Sequence, residues 1–266
     1  MSKPFLKWAG GKTQLLKNIR ELYPENIGTY YEPFIGGGAV FFDLAPKEYL
    51  LSDSNPELIN AYKVVATKPK ELIQELKEMQ NTSEFFYQLR SLKYEDLNKI
   101  SAAARTIFLN RTCFNGLYRV NKSGHFNVPY GKYKNPDYIQ EDRLFSCSKK
   151  LKSKNLKCMD FRKLKNISFK ENDFIFFDPP YVPLDGYSDF KRYTKEQFYE
   201  DSQRDLAEIF QSLAKKGIRL VLTNSNTFLV DELYDGFDKI IINSKRNISS
   251  KGSTRKSQDV IIHANI

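Results

Sequence analysis

The chain has little of what metal and disulfide chemistry require. Its 266 residues include three cysteines and two histidines. Cys113, Cys147 and Cys158 are scattered and show no Cys-x-x-Cys spacing, which argues against a zinc site and against a disulfide framework. Reduced, structural thiols and no metal are therefore expected. No uninterrupted apolar run approaches membrane-spanning length. The opening Met1-Ser2-Lys3-Pro4-Phe5 lacks the apolar stretch of a signal peptide, so an intracellular, cytoplasmic protein is expected. No internal repeat or low-complexity tract is visible, which argues against repeat architectures.

What is abundant is positive charge. Forty-two Lys and Arg face 32 Asp and Glu, giving +10 at pH 7. Such a surface attracts polyanions, nucleic acid among them. A lysine-rich composition alone would look the same, so the motifs must decide.

Short apolar runs predict strands at 29–34, 49–53, 156–160, 174–178, 218–223, 239–243 and 259–264. Several end in Asp, Glu-Pro or Thr-Asn, and in open parallel sheets that edge is where ligands bind. Between Asp53 and Leu156 the pattern turns helical. Leu72, Ile73, Leu76 and Met79 share one face, as do Phe85, Phe86 and Leu89, and both stripes read as core. A third helix is expected over 101–111, followed by a hairpin or long loop over 115–133. The expected division is an α/β domain of residues 1–56 and 155–266 with a helical insertion at 57–154. Thr194 and Gln197 match a capping box for a long helix that Gly217 closes.

The strongest local signal is Asp178-Pro179-Pro180-Tyr181, directly after the apolar run 174–177. The lone pair of an aromatic amine is delocalised into its ring, so the nitrogen is a poor nucleophile. An acceptor on each N–H would draw it toward tetrahedral geometry. Asp178 offers a carboxylate and Pro179 a carbonyl, on a turn that two prolines stiffen. Tyr181 offers a face on which an extruded base can stack. A Pro-Pro turn after a buried strand, with Asp as a cap, remains open for the motif in isolation.

A second signal is Glu32-Pro33-Phe34-Ile35-Gly36-Gly37-Gly38. Glycine lets backbone approach a ligand at a strand–helix turn. The dinucleotide fingerprint fails, because Gly36-x-Gly38 is followed at its third-glycine position by Phe41. Asp53, at the end of the next strand, can accept from ribose hydroxyls. At the N-terminus, Gly11-Lys12-Thr13 is not a phosphate loop, since Leu6 stands where that pattern needs glycine. Its Gly-Gly turn could instead hold a carboxylate at a helix start. Asp160-Phe161 pairs an acceptor with an aromatic ring, uninformative by itself.

Together, Lys7-Trp8-Ala9-Gly10-Gly11-Lys12, the Glu32–Gly38 run, Asn115-Gly116-Leu117-x-Arg119-x-Asn121 and Asp178–Tyr181 resemble, in order, the DNA adenine-N6 methyltransferases of the GATC-methylating type. The resemblance covers nearly the whole chain, including Phe126–Gly131 and the Ser249–Arg255 loop. It implies an α/β fold: a doubly wound, mostly parallel Rossmann-like sheet ending in an antiparallel hairpin, with an inserted helical recognition domain. It implies S-adenosylmethionine as cofactor and double-stranded DNA as partner, with a monomer, or a weak dimer on DNA. Trp8, Ala9, Gly10, Lys12, Glu32, Pro33, Phe34, Gly36, Gly38, Asp53, Asp160, Phe161 and Asp178 match cofactor-site positions. Asp178, Pro179, Pro180 and Tyr181 match the catalytic motif. Lys7 matches a reader of the first guanine, and Arg119 a reader of a later base pair. Phe114, Asn115 and Leu117 match residues that enter the base stack. Arg90, Asn121, Pro129, Lys132, Tyr133, Arg246, Lys251 and Arg255 complete the expected DNA surface.

Two departures stand out. Cys113-Phe114 stands where some relatives carry Tyr, and Lys132 where others carry Arg, which alone makes a two-pronged contact. Other readings are a methyltransferase acting on cytosine N4 or on RNA, and a non-catalytic DNA-binding module that senses the cofactor. Ser rather than Asp before Pro-Pro-Tyr would have favoured cytosine.

Overall fold

The computed structural model of the protein describes residues 3–8, 12–183, 198–244 and 257–266. Its strands are β1 (Tyr30–Glu32), β2 (Tyr49–Asp53), β3 (Leu156–Cys158), β4 (Phe174–Phe177), β5 (Arg219–Ser225), β6 (Asp238–Ser244) and β7 (Ser257–Ala264). Each lies on an apolar run expected from the sequence. Two stop early. Pro33 has no N–H with which to continue β1. β3 ends where Asp160 turns to cap the 3₁₀ turn Phe161–Asn166, accepting from the Arg162 N–H at 2.8 Å.

The strands form one sheet in the order β3-β2-β1-β4-β5-β7-β6. Neighbours from β3 to β5 are parallel, and β7 lies antiparallel between β5 and β6. This is the doubly wound, mostly parallel sheet with an antiparallel end that the resemblance implied. Successive residues of β4 serve opposite faces, as a strand period of two requires. Phe174 and Phe176 enter one core, and Ile175 and Phe177 the other. A parallel strand covered on both faces is continuously apolar, which explains why β4 reads Phe-Ile-Phe-Phe.

The helices are α1 (Leu16–Glu21), α2 (Ala39–Leu44), α3 (Pro56–Thr67), α4 (Pro69–Lys77), α5 (Ser83–Ser91), α6 (Lys99–Thr112), α7 (Glu141–Ser148), α8 (Glu200–Lys215) and α9 (Phe228–Leu233). α8 and α9 cover one face of the sheet, and buried residues of α1 to α7 share the core of the other. The expected boundary at 56/57 falls in the first turn of α3, where the Asn55 side chain accepts from the Leu58 N–H and Pro56 occupies the first turn. Asn98 caps α6 in the same manner, accepting from Ile100 and Ser101. α6 is buried on nearly all sides, and Ala102, Ala103 and Ala104 give its neighbours close approach. The expected capping pair Thr194 and Gln197 lies outside the described residues; α8 begins at Glu200 with no side-chain cap at Tyr199. Gly217 ends it at φ +77°, as expected.

After α6 the chain forms the expected long loop, pinned by antiparallel bridges Cys113↔Tyr130 and Val120↔Phe126. No helix among the described residues is long and apolar enough to cross a membrane.

Strand order reverses between β1 and β4, which pair directly. Connections from this pair diverge to opposite sides of the sheet, which opens a crevice at the strands' C-terminal ends. Glu32–Gly38 leaves β1 there, and Asp178–Tyr181 leaves β4.

Candidate active site

At the end of β4, Asp178 Oδ1 accepts from two donors: Lys12 Nζ at 2.6 Å and the Thr223 hydroxyl at 3.0 Å. Lys12 is 5% exposed, and its ammonium lies 4.6 Å from the Tyr181 ring centre. Burial raises the Asp178 carboxyl, and Lys12 and Thr223 offset part of that rise. Burial alone would lower Lys12, but Asp178 and Tyr181 outweigh it and hold the amine charged. Neither Asp178 Oδ2 nor the Pro179 carbonyl accepts a hydrogen bond from a described residue. Among the described residues, the turn thus leaves these two acceptors without a donor. Thr223, at the end of β5, was not legible as part of this site, because only strand order makes it a neighbour of β4.

Glu32, in the adjacent turn, is buried and accepts the Tyr30 hydroxyl at 2.7 Å. Burial pushes its carboxyl well above the ordinary value, an effect that the Tyr30 hydrogen bond opposes. Pro33 is buried between Glu32 and Phe34. Gly36 has φ +45° and Gly38 φ +72°, both in the left-handed region. These glycines, expected at a ligand, also admit protein side chains. A Cβ on Gly36 would meet the Trp8 ring at 2.8 Å, and one on Gly38 the Tyr62 hydroxyl at 2.7 Å. Gly36→Ala should therefore lower the melting temperature by several degrees, since left-handed backbone alone costs a non-glycine residue about 1–2 kcal/mol. An unchanged melting temperature would contradict this packing.

Asp53 is buried at the end of β2, its two oxygens accepting the Gly36 N–H at 3.2 Å and the Asn55 N–H at 3.0 Å. Phe34, Phe161 and Phe198 form an aromatic wall with ring centres 5.3–5.8 Å apart. Asp160 stands beside it, paired with Arg162 at 3.1 Å; Arg162 also donates to Asp205 at 2.6 Å. The sequence did not single out Arg162, which fixes Asp160 and lies over the Phe161 ring. Buried carboxylate, aromatic wall and half-exposed carboxylate at neighbouring strand ends suit a nucleoside's ribose and base. Ala9 and Gly10 lie outside the described residues.

The recognition residues gather around a different anchor. Buried Asn110 on α6 accepts from the Lys7 N–H at 2.8 Å and donates to the Lys7 carbonyl at 2.7 Å. It also donates to the Gly116 carbonyl at 3.3 Å, which ties the N-terminal segment to the loop. The Lys7 side chain runs past Gly116, where a Cβ would meet it at 2.6 Å, to place its ammonium 4.9 Å from the Tyr133 ring centre. Partial burial, with Arg111 nearby, lowers the Lys7 amine. Asn115 takes left-handed backbone and donates its N–H to the Tyr133 hydroxyl at 3.0 Å. Phe114 is 51% exposed beside it, while Leu117 packs against the core. The Phe114 N–H donates to the Pro129 carbonyl at 2.9 Å.

Arg119 donates to Asn127 Oδ1 at 2.7 Å, which orients its guanidinium. Asn121 spends its side-chain oxygen on the loop tip, accepting from Ser123 and His125. Arg90 donates to the Val128 carbonyl at 3.1 Å and stacks on Tyr87. Lys132 takes left-handed backbone. Arg246, Lys251 and Arg255 lie outside the described residues. Among the described residues no group of three or more His, Cys, Asp or Glu is placed to hold a metal ion.

The family model for D12 class N6 adenine-specific DNA methyltransferases matches residues 8–248. The chain belongs to that family. The methyltransferase is 44% identical to the type II methyltransferase M.MjaIII of Methanocaldococcus jannaschii, over 96% of this chain and 95% of that one. It is 41% identical to the type II methyltransferase M1.LlaDCHI of Lactococcus lactis subsp. cremoris, covering 98% and 94%. The DNA adenine methylase of Escherichia coli K12 is 33% identical, also covering 98% and 94%. The enzyme thus methylates adenine N6 in DNA, and its class uses S-adenosylmethionine.

Proposed function

We propose that the enzyme methylates adenine in GATC duplexes, with the target base flipped into the crevice between β1 and β4. The observation that carries the adenine chemistry is the pair of acceptors without a donor among the described residues, Asp178 Oδ2 and the Pro179 carbonyl, near the Tyr181 ring; the GATC site is supported by the likeness to DNA adenine methylase. One N6–H would go to each acceptor, so the nitrogen lone pair localises and turns from the ring. Pro180 stiffens the turn. Lys12, bound to the other carboxylate oxygen, keeps Asp178 charged and aimed.

S-adenosylmethionine, when bound, supplies an electrophilic methyl on a sulfonium. Asp53 would hold its ribose, Phe34 and Phe161 its base face, and Asp160 the exocyclic amine of that base. Trp8, Ala9, Gly10, Lys12, Glu32, Pro33, Gly36 and Gly38 would form the rest of the wall.

Residues 57–154 would form the recognition unit. Lys7 would read the first guanine. Arg119, preset by Asn127, would read a later base pair with a two-pronged contact, the commonest specific contact to guanine. Phe114, Asn115 and Leu117 would fill the stack left by the flipped base. Arg90, Asn121, Pro129, Lys132, Tyr133 and the basic residues Arg246, Lys251 and Arg255 would hold the flanking backbone, which positions without specifying. The enzyme would act as a monomer in the cytoplasm.

Arg119→Ala tests the reading residue. Across duplexes that vary one base at a time, discrimination should fall by about 1–3 kcal/mol at one position. A uniform loss over all duplexes would make Arg119 a phosphate contact and remove it from base reading.

A further inference from the structure

The two peptide groups that flank Tyr181 are both held by one buried pair of amides. Gln203, in the first turn of α8, donates from Nε2 to the Pro180 carbonyl at 2.8 Å. Asn224, near the end of β5, accepts the Val182 N–H on Oδ1 at 3.0 Å. The amides meet each other, Asn224 Nδ2 donating to Gln203 Oε1 at 3.1 Å. Gln203 is 1% exposed and Asn224 0%. The pattern admits one orientation for each amide. The Val182 N–H and the Ser225 N–H at 2.8 Å both require an acceptor, which must be Asn224 oxygen. Its nitrogen then faces Gln203 oxygen, which leaves Gln203 nitrogen for Pro180.

We infer that Gln203 and Asn224 are positioning residues for methyl transfer, a clamp that sets where the Tyr181 ring lies relative to Asp178. This rests on the reading of Asp178–Tyr181 as the site that holds the target base. Two prolines fix φ at Pro179 and Pro180, but Tyr181 has no such restraint. The clamp supplies it from both sides. It also joins three elements, since β5 contributes Thr223 to Asp178 and Asn224 to the clamp, while α8 contributes Gln203. Neither amide donates to or accepts from Asp178 or Tyr181 in these bonds, so the pair acts through the backbone.

A small misplacement of a reacting group slows chemistry far more than it weakens binding. Gln203→Met keeps length and loses both bonds. Gln203→Asn keeps the amide but is one methylene too short to span Pro180 and Asn224. Each is compared with the wild type and with Tyr181→Ala, using S-adenosylmethionine and a duplex carrying one target adenine, well below each melting temperature. The expected result is a kcat fall of about 10- to 100-fold in both Gln203 variants, with KM for cofactor and duplex within about twofold of the wild type. Gln203→Asn guards against a failure of Gln203→Met to fold. If Tyr181→Ala loses turnover while both Gln203 variants match the wild type, the clamp is overturned and the site reading stands. A rise in KM at unchanged kcat also overturns it. If Tyr181→Ala itself keeps wild-type kcat, the site reading falls and the clamp with it.

Discussion

Asp178→Asn should methylate a GATC duplex at least about 10²- to 10³-fold more slowly than the wild type, the usual cost of removing one preorganised group aimed at developing charge. The amide keeps the size of the carboxylate but not its charge, and it can turn a donor toward the amine it must accept from. Duplex binding should persist, because Lys7, Arg119 and the loop after α6 are anchored by Asn110, Asn127 and Tyr133 rather than by Asp178. The variant has a second consequence. Lys12, 5% exposed, loses its charged partner at 2.6 Å. Breaking a buried pair from one side costs several kcal/mol because a charge is left unpaired. The double variant Lys12→Met, Asp178→Asn should therefore recover melting temperature and no turnover. Turnover restored together with stability would mean that Asp178 serves the fold alone.

Arg105→Met carries the largest expected loss of stability. Arg105 Nη1 lies 3.1 Å from Glu57 Oε2, with side chains 3% and 11% exposed. The guanidinium also donates to the carbonyls of Leu89 at 3.1 Å and Arg90 at 3.2 Å, at the end of α5. One side chain thus joins α3, α5 and α6. Its removal strands a buried carboxylate and two carbonyls, at a cost of about 3–5 kcal/mol. That is a melting-temperature fall of order 10 °C.

The sign of the pH effect follows. Burial already raises the Glu57 carboxyl, and Arg105 opposes that rise. Without Arg105 it rises further. Above the unfolded value of about 4.3, the folded state then holds a proton that the unfolded chain has lost, so stability falls as pH rises. Melting temperatures measured across pH should show the gap to the wild type widening once the pH passes the already raised Glu57 value of the wild type, where only the variant still holds the proton. A gap that narrows instead would mean that Glu57 is not stranded. Because Arg90 and its contact with Val128 sit at the end of α5, duplex binding should weaken as well.

Much of the sheet was legible because its central strands are buried on both faces. A run such as Phe174–Phe177 has no other use in a chain this polar, while edge strand β6 leaves Ile241 exposed. The order of the strands was not legible, because periodicity says nothing about neighbours; the family resemblance implied only a doubly wound, mostly parallel sheet with an antiparallel end. The acceptor motif was legible because Pro-Pro after a buried strand is chemically unusual. Its supports were not. Thr223, Gln203 and Asn224 reach Asp178–Tyr181 only because β5 lies beside β4 and α8 packs over that edge, and Lys12 reaches it from the N-terminal turn before α1. In the sequence, Thr223-Asn224 marks a strand end and Gln203 is one polar residue among several. Gly36 and Gly38 were legible as special backbone, but not their packing against Trp8 and Tyr62, side chains brought in from elsewhere. Nor was the bond pattern of Asn121 legible, whose side-chain oxygen closes the loop tip.

The most direct test is transfer of tritium from labelled S-adenosylmethionine to two duplexes that differ at one place, GATC in one and GTTC at the same place in the other. Strong transfer to the first alone is the predicted result, and it would join the adenine target to the GATC site in one measurement. Equal transfer to both would contradict the site, and no transfer to either with cofactor still bound would contradict the reaction.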